Sequence, residues 1–501
     1  MRGVHGLLAI LAFGLALSAP ARAMDADAAP RKNRSPATPE LSRLLRAADQ
    51  VAGRGDDAMA ALALEGVAAH PDFTRLPASA RGAVLLRAAR HAADAGDAAH
   101  AQRLAREATA ADPGLFDAWY LLAHVAAYEG AHGEAAAAFA RALRLKAGAL
   151  AFTDPDVLAQ VVARGELASP AHRELLEALH AQDWMPHGLP ADDAWARLAL
   201  ARLAAGDAAG AREALEGLDS PSAAVWIATD RRFDGLLPAD DPRRDPARSA
   251  EAHIARVRAI ADAAPDRLLP RVELAGLLLS VGREDEARAL ADAAIAAPGR
   301  FADAEWLHWA HNVRAIALRR EGRLEEAVQA LADGVAAGER GQPNVSQALN
   351  RGTLLVDLER PEEALASAGR LQGLSGYGEM VQSLVRMRAY RQLGRQRDAE
   401  VWFDRLREHR DDGRLAWLQA LLWWGAEDEA AAWLAGLLAD PSHRADALHW
   451  CQDWRAPEPL PGRVPLVEAR RALLARADVR AAIDAVGRII QPGIHDRTGV
   501  D

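Results

Sequence analysis

The chain has 501 residues, of which 50% are hydrophobic, 26% charged and 5% aromatic, with 60 lysines and arginines against 70 acids and a net charge of −10. Half the residues being apolar excludes a wholly disordered chain, and one cysteine excludes a disulfide framework, a cysteine-rich zinc site and a CxxC redox pair. The acidic balance argues against a protein whose main task is to coat nucleic acid or an anionic membrane.

Alanine, the best helix former, dominates, and the 13 tryptophans outnumber the 4 tyrosines and 8 phenylalanines together. Both features lead to the expectation of an all-helical protein with a few placed aromatics. Residues 1–23, MRGVHGLLAILAFGLALSAPARA, read as a signal peptide. Arg2 is the positive start, Leu7 to Leu17 the apolar stretch, and Ala21-Arg22-Ala23 the small-residue cleavage pattern. The apolar run is shorter than the roughly 20 residues a membrane span needs, so cleavage after Ala23 and no membrane anchor are expected. Export would place the mature chain, at −12 after losing Arg2 and Arg22, in the periplasm of a Gram-negative cell. Residues 24–40 are expected to be a flexible leader, with the fold starting near Leu41.

From there a phrase recurs: a helical run, a glycine, four residues, then an alanine in a second helical run. It is found at Gly96/Ala101, Gly130/Ala135, Gly206/Ala211, Gly282/Ala287, Gly322/Ala327, Gly394/Ala399 and Gly425/Ala430. Weaker copies lie at Gly55/Ala60, Gly165/Pro170 and Glu359/Ala364. Gly55 to Gly425 covers 370 residues and ten intervals, a mean period of 37, which is the signature of a helical solenoid. The clearest unit, Phe116 to Ala149, has Trp119, Leu122 and Ala123 before its turn glycine and Ala135, Phe139 and Ala142 after it. In these residues and spacings it resembles a tetratricopeptide (TPR) repeat. The resemblance covers roughly Leu41 to Pro441 and implies an all-α superhelix of about ten to twelve helical hairpins.

The expected organisation is an N-terminal array over 41–218, a degenerate repeat with a proline-rich loop over 219–268, and a C-terminal array over 269–441. Residues 219–268 could be a hinge or a binding loop. Closing helices over 442–490, with Arg470, Arg471, Arg476, Asp478 and Arg480 on a polar face, precede a frayed tail, 491–501. The acids in REDEA, RLEEA, RPEEA and AEDEA fall where second helices begin, and there they complement the helix dipole and cap free amides.

Catalytic signatures (Walker A, G-x-S-x-G, H-E-x-x-H, the dinucleotide fingerprint) do not occur in the sequence. Glu305, His308 and His311 could share one helix face as metal ligands, and His443, His449 and Cys451 also carry metal-capable atoms. Packing within an amphipathic helix explains the first group better; in the second, His449 and Cys451 are two apart and point to different helix faces, and Cys451 reads as a small hydrophobe, so no cofactor or metal is expected. The resemblance to the TPR family implies that first helices line a ligand groove. On that register Arg90, Tyr120, His124, Tyr128, Trp309, Asn312, Arg319, Arg320, Asn350, Arg388, Arg391 and Trp423 face a protein or peptide partner. Asn350-Arg351 resembles a carboxylate-clamp helix, but Asn312, Ile316, Val381 and Val385 do not complete the clamp. The reading is a non-catalytic interaction scaffold. Its rivals are a polysaccharide-binding array, suggested by the tryptophans, and a metal-dependent enzyme built on repeat helices.

Overall fold

A computed structural model describes residues 38–338, 344–368, 371–374 and 376–497. The expected signal peptide, leader residues 24–37 and residues 498–501 lie outside the described residues. Among those described there are 25 α-helices and no strand. Sequence-adjacent helices pack in pairs, as the period predicts.

The chain divides into two units, Met1–Pro186 and His187–Asp501. This division lies inside the expected N-terminal array 41–218, not at the 219–268 segment. The first unit holds α1 (Pro39–Ala52), α2 (Asp57–Ala68), α3 (Ala78–Asp94), α4 (Ala98–Ala111), α5 (Phe116–Tyr128), α6 (His132–Leu145), α7 (Pro155–Arg164) and α8 (Pro170–His180). Its interior is closed by Leu64, Leu104, Phe139, Leu158 and Leu175, with Ala123 and Ala135 allowing α5 and α6 to approach closely.

The second unit begins with α9 (Asp192–Ala204), α10 (Ala208–Ala214), α11 (Pro221–Thr229) and α12 (Pro246–Ala263). It continues with α13 (Leu269–Ser280), α14 (Glu284–Ala296), α15 (Leu307–Arg320), α16 (Leu324–Ala337), α17 (Val345–Asp357) and α18 (Pro361–Ala368). Then come α19 (Gly376–Gln392), α20 (Gln396–Glu408), α21 (Arg414–Trp424), α22 (Glu427–Ala439), α23 (Arg444–Cys451), α24 (Val464–Ala475) and α25 (Ala477–Val486).

The turn chemistry comes in two forms. Gly96, Gly130, Gly206, Gly282, Gly322, Gly394 and Gly425 all take positive φ, the left-handed conformation that ends a first helix without a side-chain clash. Where aspartate follows the glycine, its carboxylate caps the second helix: Asp97 accepts from the His100 amide at 3.0 Å and Asp207 from the Gly210 amide at 2.8 Å. Where arginine follows, the acid three residues on clasps the guanidinium instead. Arg283 donates to both Glu286 oxygens at 2.6 and 2.7 Å, and Arg323 to both Glu326 oxygens at 2.8 and 2.7 Å. Arg360 with Glu363 repeats the arrangement. One acid in each of REDEA, RLEEA and RPEEA (Glu286, Glu326 and Glu363) is thus half of a bidentate pair, in addition to sitting at a helix start.

The proline-rich stretch between α11 and α12 is knitted in by arginines. Arg244 donates to the Phe233 carbonyl at 2.9 Å, Arg243 to the Leu215 carbonyl at 2.7 Å, and Phe233 is fully buried. The end of the chain departs further from expectation. Residues 491–497 are docked, not frayed: His495 N–H donates to the Ser280 carbonyl at 2.7 Å, Arg497 reaches Glu273 at 2.7 Å, and Ile494 is buried. Arg470, expected on a polar face, turns inward and donates to the Trp450 and Gln452 carbonyls, both at 2.7 Å. Carbonyls left free after the short helix α23 supply acceptors that solvent would otherwise have to provide.

Candidate partner-binding surface

In the first unit, α3 and α5 carry four of the residues expected to meet a ligand. Arg90 is 52% exposed and lies 3.6 Å from Asp117 across the neighbouring helix, and Tyr128 is exposed. Tyr120 and His124 turn into an aromatic cluster. The Tyr120 hydroxyl donates to the Phe152 carbonyl at 2.9 Å, and its ring stacks on Phe116; burial pushes the phenol up to about 12. His124 is a correction: it is 4% exposed, with its ring 4.6 Å from Tyr120 and 5.1 Å from Phe139. Neither ring nitrogen has a hydrogen-bond partner, and burial drives the imidazole down to about 4, so it is neutral at ordinary pH.

The second unit overturns the accessibility expected of two arginines. Arg320 donates to the Leu279 carbonyl at 2.6 Å and approaches Glu284 at 3.3 Å, with a side chain only 6% exposed. Arg388 is equally buried. Its Nη2 donates to the fully buried Asp357 at 2.5 Å and to the Gly462 carbonyl at 3.1 Å, while its guanidinium lies 4.2 Å from the Trp423 ring centroid. Burial pulls the Arg388 pKa below the usual guanidinium range, and the Asp357 charge opposes that pull. Arg391 lies over Trp424 and donates to the Trp423 carbonyl. Asn350 donates to Asn312 at 2.9 Å. Trp309 and Arg319, on α15, are half-buried. Arginine suits these inward positions because its planar, weakly hydrated head can stack on a ring and reach several carbonyls at once.

The same chemistry accounts for the tryptophans between residues 402 and 454. Arg386 lies over Trp402 at 4.2 Å, Arg410 over Trp433 at 5.9 Å and Arg470 over Trp450 at 5.0 Å. Trp417 is buried against Phe403, and Trp424 stacks on the same ring at 4.4 Å and 12°. Trp454 lies 4.5 Å from the His449 ring and donates to the His449 carbonyl.

Among the described residues, two groups of three metal-capable side chains come together. Asp192, Asp219 and His253 converge, but Arg256 bonds both Asp192 oxygens at 2.8 Å and Asp219 at 2.6 Å, so a guanidinium supplies the positive charge. Asp57, His91 and Asp94 converge near the surface, with His91 2.8 Å from Asp57. Burial and the Asp57 charge raise the Asp94 pKa. The sequence-predicted histidine groups assemble differently. His308 Nδ1 bonds the Glu305 backbone carbonyl at 2.7 Å. His449 pairs with Asp496 at 2.9 Å, and Cys451 is fully buried with its thiol pushed up to about 12.

Sequence reasoning passed over one stretch that contacts several repeats of the second unit: Arg455–Arg463, RAPEPLPGR. Gly462 is buried against α17 and accepts from Arg388, and Leu460 packs on the cluster of Leu318, Leu354 and Val385. Its sequence signal is the alternation of Pro457, Pro459 and Pro461, which an extended segment tolerates and a helix does not.

No family model matches the chain, and no curated protein matches it. Among solved structures, a chain of the Naa15/Naa10 complex bound to HypK-THB is similar over 88% of this chain and 90% of that one, at 13% identity and a TM-score of 0.27. A TM-score that low marks no common arrangement of the whole chains.

Proposed function

We propose that the protein is a non-catalytic scaffold of the bacterial envelope that binds a protein or peptide on its first-helix surfaces. On this reading it is exported by residues 1–23 and cut after Ala23. The observation that carries it is on α3 and α5. Arg90, Asp117 and Tyr128 stand at the surface of helices whose other faces are closed by Leu86, Ala89, Leu122 and Val125. Charged and aromatic groups held on a rigid frame give contact area at low entropic cost. The signal-peptide pattern supports the location, and the 37-residue period supports a recognition array.

A photo-crosslinker placed at Tyr128 in cells making the protein tests this. The expected result is a discrete crosslinked partner, lost on Arg90→Glu with Asp117→Arg while the thermal midpoint is kept, and a mature chain starting at Met24. A crosslink indifferent to that double change, or a chain still starting at Met1, counts against the proposal.

A further inference from the structure

Three prolines in Arg455–Arg463 remove every second amide donor, and the backbone runs without helix or strand over 456–460 before Pro461–Arg463 close in one 3-10 turn. Among the described residues, no backbone hydrogen bond holds Ala456–Pro459. The segment is fixed at its ends instead. Arg455 N–H donates to the Ile494 carbonyl at 3.1 Å, and its guanidinium lies against the Gly282 turn, 3.2 Å from where a Cβ would stand. At the other end Gly462 sits so close to α17 that a Cβ would be 2.3 Å from the Val356 carbonyl oxygen. Arg463 lies 3.7 Å from Asp357. Between the anchors, Ala456 and Pro457 border a 570 Å³ cleft with Gly282, Arg320 and Glu321, and Leu460 reaches the apolar cluster of α15 and α17. The segment therefore passes the C-terminal ends of α13, α15 and α17, three successive first helices. Two residues expected to meet a ligand, Arg320 and Arg388, lie along its path.

We infer that this row of helix ends is a groove for extended proline-rich peptides, and that Arg455–Arg463 occupies it in cis. Recognition would be of the polyproline II type: a low-entropy backbone, one apolar anchor at Leu460, and a glycine where the chains approach too closely for a side chain. The inference rests on the scaffold reading and names its ligand class. A tethered segment is present at an effective concentration of order millimolar, so a free peptide is excluded until the strap is released.

The probe is a labelled nonapeptide, RAPEPLPGR, titrated by fluorescence anisotropy against the full chain and against a full chain with Ala456–Pro461 replaced by three Gly-Ser pairs. Binding at least tenfold tighter to the replaced chain is expected, and a peptide with serine for the leucine should lose at least tenfold. Leu460→Ser in the chain is a milder variant giving the same readout if the replacement fails to fold. Saturable binding to neither folded variant, or equal binding to variant and unaltered chain, overturns the groove. So does a third result, read on the unaltered protein by hydrogen exchange. The amides of Ala456, Glu458 and Leu460 should exchange at least a hundredfold faster than those of α17, and equal protection would mean that the strap is packing and not ligand. None of these outcomes alters the Tyr128 crosslink, which tests the scaffold reading alone.

Discussion

Acid should loosen the α5–α6 hairpin through His124. The imidazole is buried without a hydrogen-bond partner, and burial lowers its pKa from 6.5 to about 4. In the open hairpin it would titrate at the ordinary value. Between those two pH values the open state binds one more proton than the closed state, so stability falls as pH falls from 6.5 towards 4 and is fully present above 6.5. The difference between 6.5 and about 4 corresponds to roughly 3 kcal/mol once both forms are protonated. Between pH 7.5 and 5.0 the same linkage gives about 2 kcal/mol, roughly a thirtyfold loss of protection. The assay is hydrogen exchange of peptides from α5 and α6, expressed as protection factors to remove the intrinsic pH dependence. His132 and His311, also lowered by burial, act in the same direction, so the comparison is with His124→Leu. That variant should keep its α5–α6 protection at pH 5.0 and be more stable than the parent at pH 7.5, because it removes two unsatisfied nitrogens from an apolar site. Equal acid loss in parent and variant would refute the reasoning.

Asp357→Asn leaves the Arg388 guanidinium buried without its countercharge and should cost about 3–5 kcal/mol, read as a fall in thermal midpoint; Asp357→Leu with Arg388→Met should recover most of it. Gly130→Ala forces a side chain into positive φ at a turn with open space around it, so the expected cost in urea denaturation is the conformational one alone, about 1–2 kcal/mol. Cys451 should be inert to a thiol reagent in the native protein and react with one equivalent in denaturant; reaction at the native rate of a free thiol would contradict its burial.

The hairpins were legible because each needs a local device that composition cannot hide. The tight turn that ends most first helices takes positive φ, and glycine does so without a side-chain penalty, so the turn glycines mark the period. The weaker copies show what the period misses. Glu359 takes φ +57 at a turn where other repeats have glycine, while Gly165 is extended, packed against His172, and ends α7 without the left-handed step. Both read as poor matches, but Glu359 makes the same left-handed turn without a glycine, and only Gly165 makes a different one.

The orientation of the arginines was not legible, and the reason is non-local. Helical register places Arg388 on the face that a TPR array would offer to a ligand, but Gly462, 74 residues later, brings a carbonyl to it, and Asp357, 31 residues earlier, brings the charge. Register specifies a direction, and only the rest of the chain decides what stands there. The tryptophans follow the same logic. A guanidinium turned away from water needs a surface that tolerates charge without hydrating it, and an indole face is the best such surface among side chains. Arginine on α19 and tryptophan on α21 are therefore one feature: Arg388, set between the Trp423 ring and the Gly462 carbonyl, joins α19 to the segment Arg455–Arg463. A segment joined in this way presents its own side chains to the same helix ends that would otherwise receive a partner, and so the surface facing a ligand in the second unit is defined by Arg455–Arg463 as much as by the repeats beneath it.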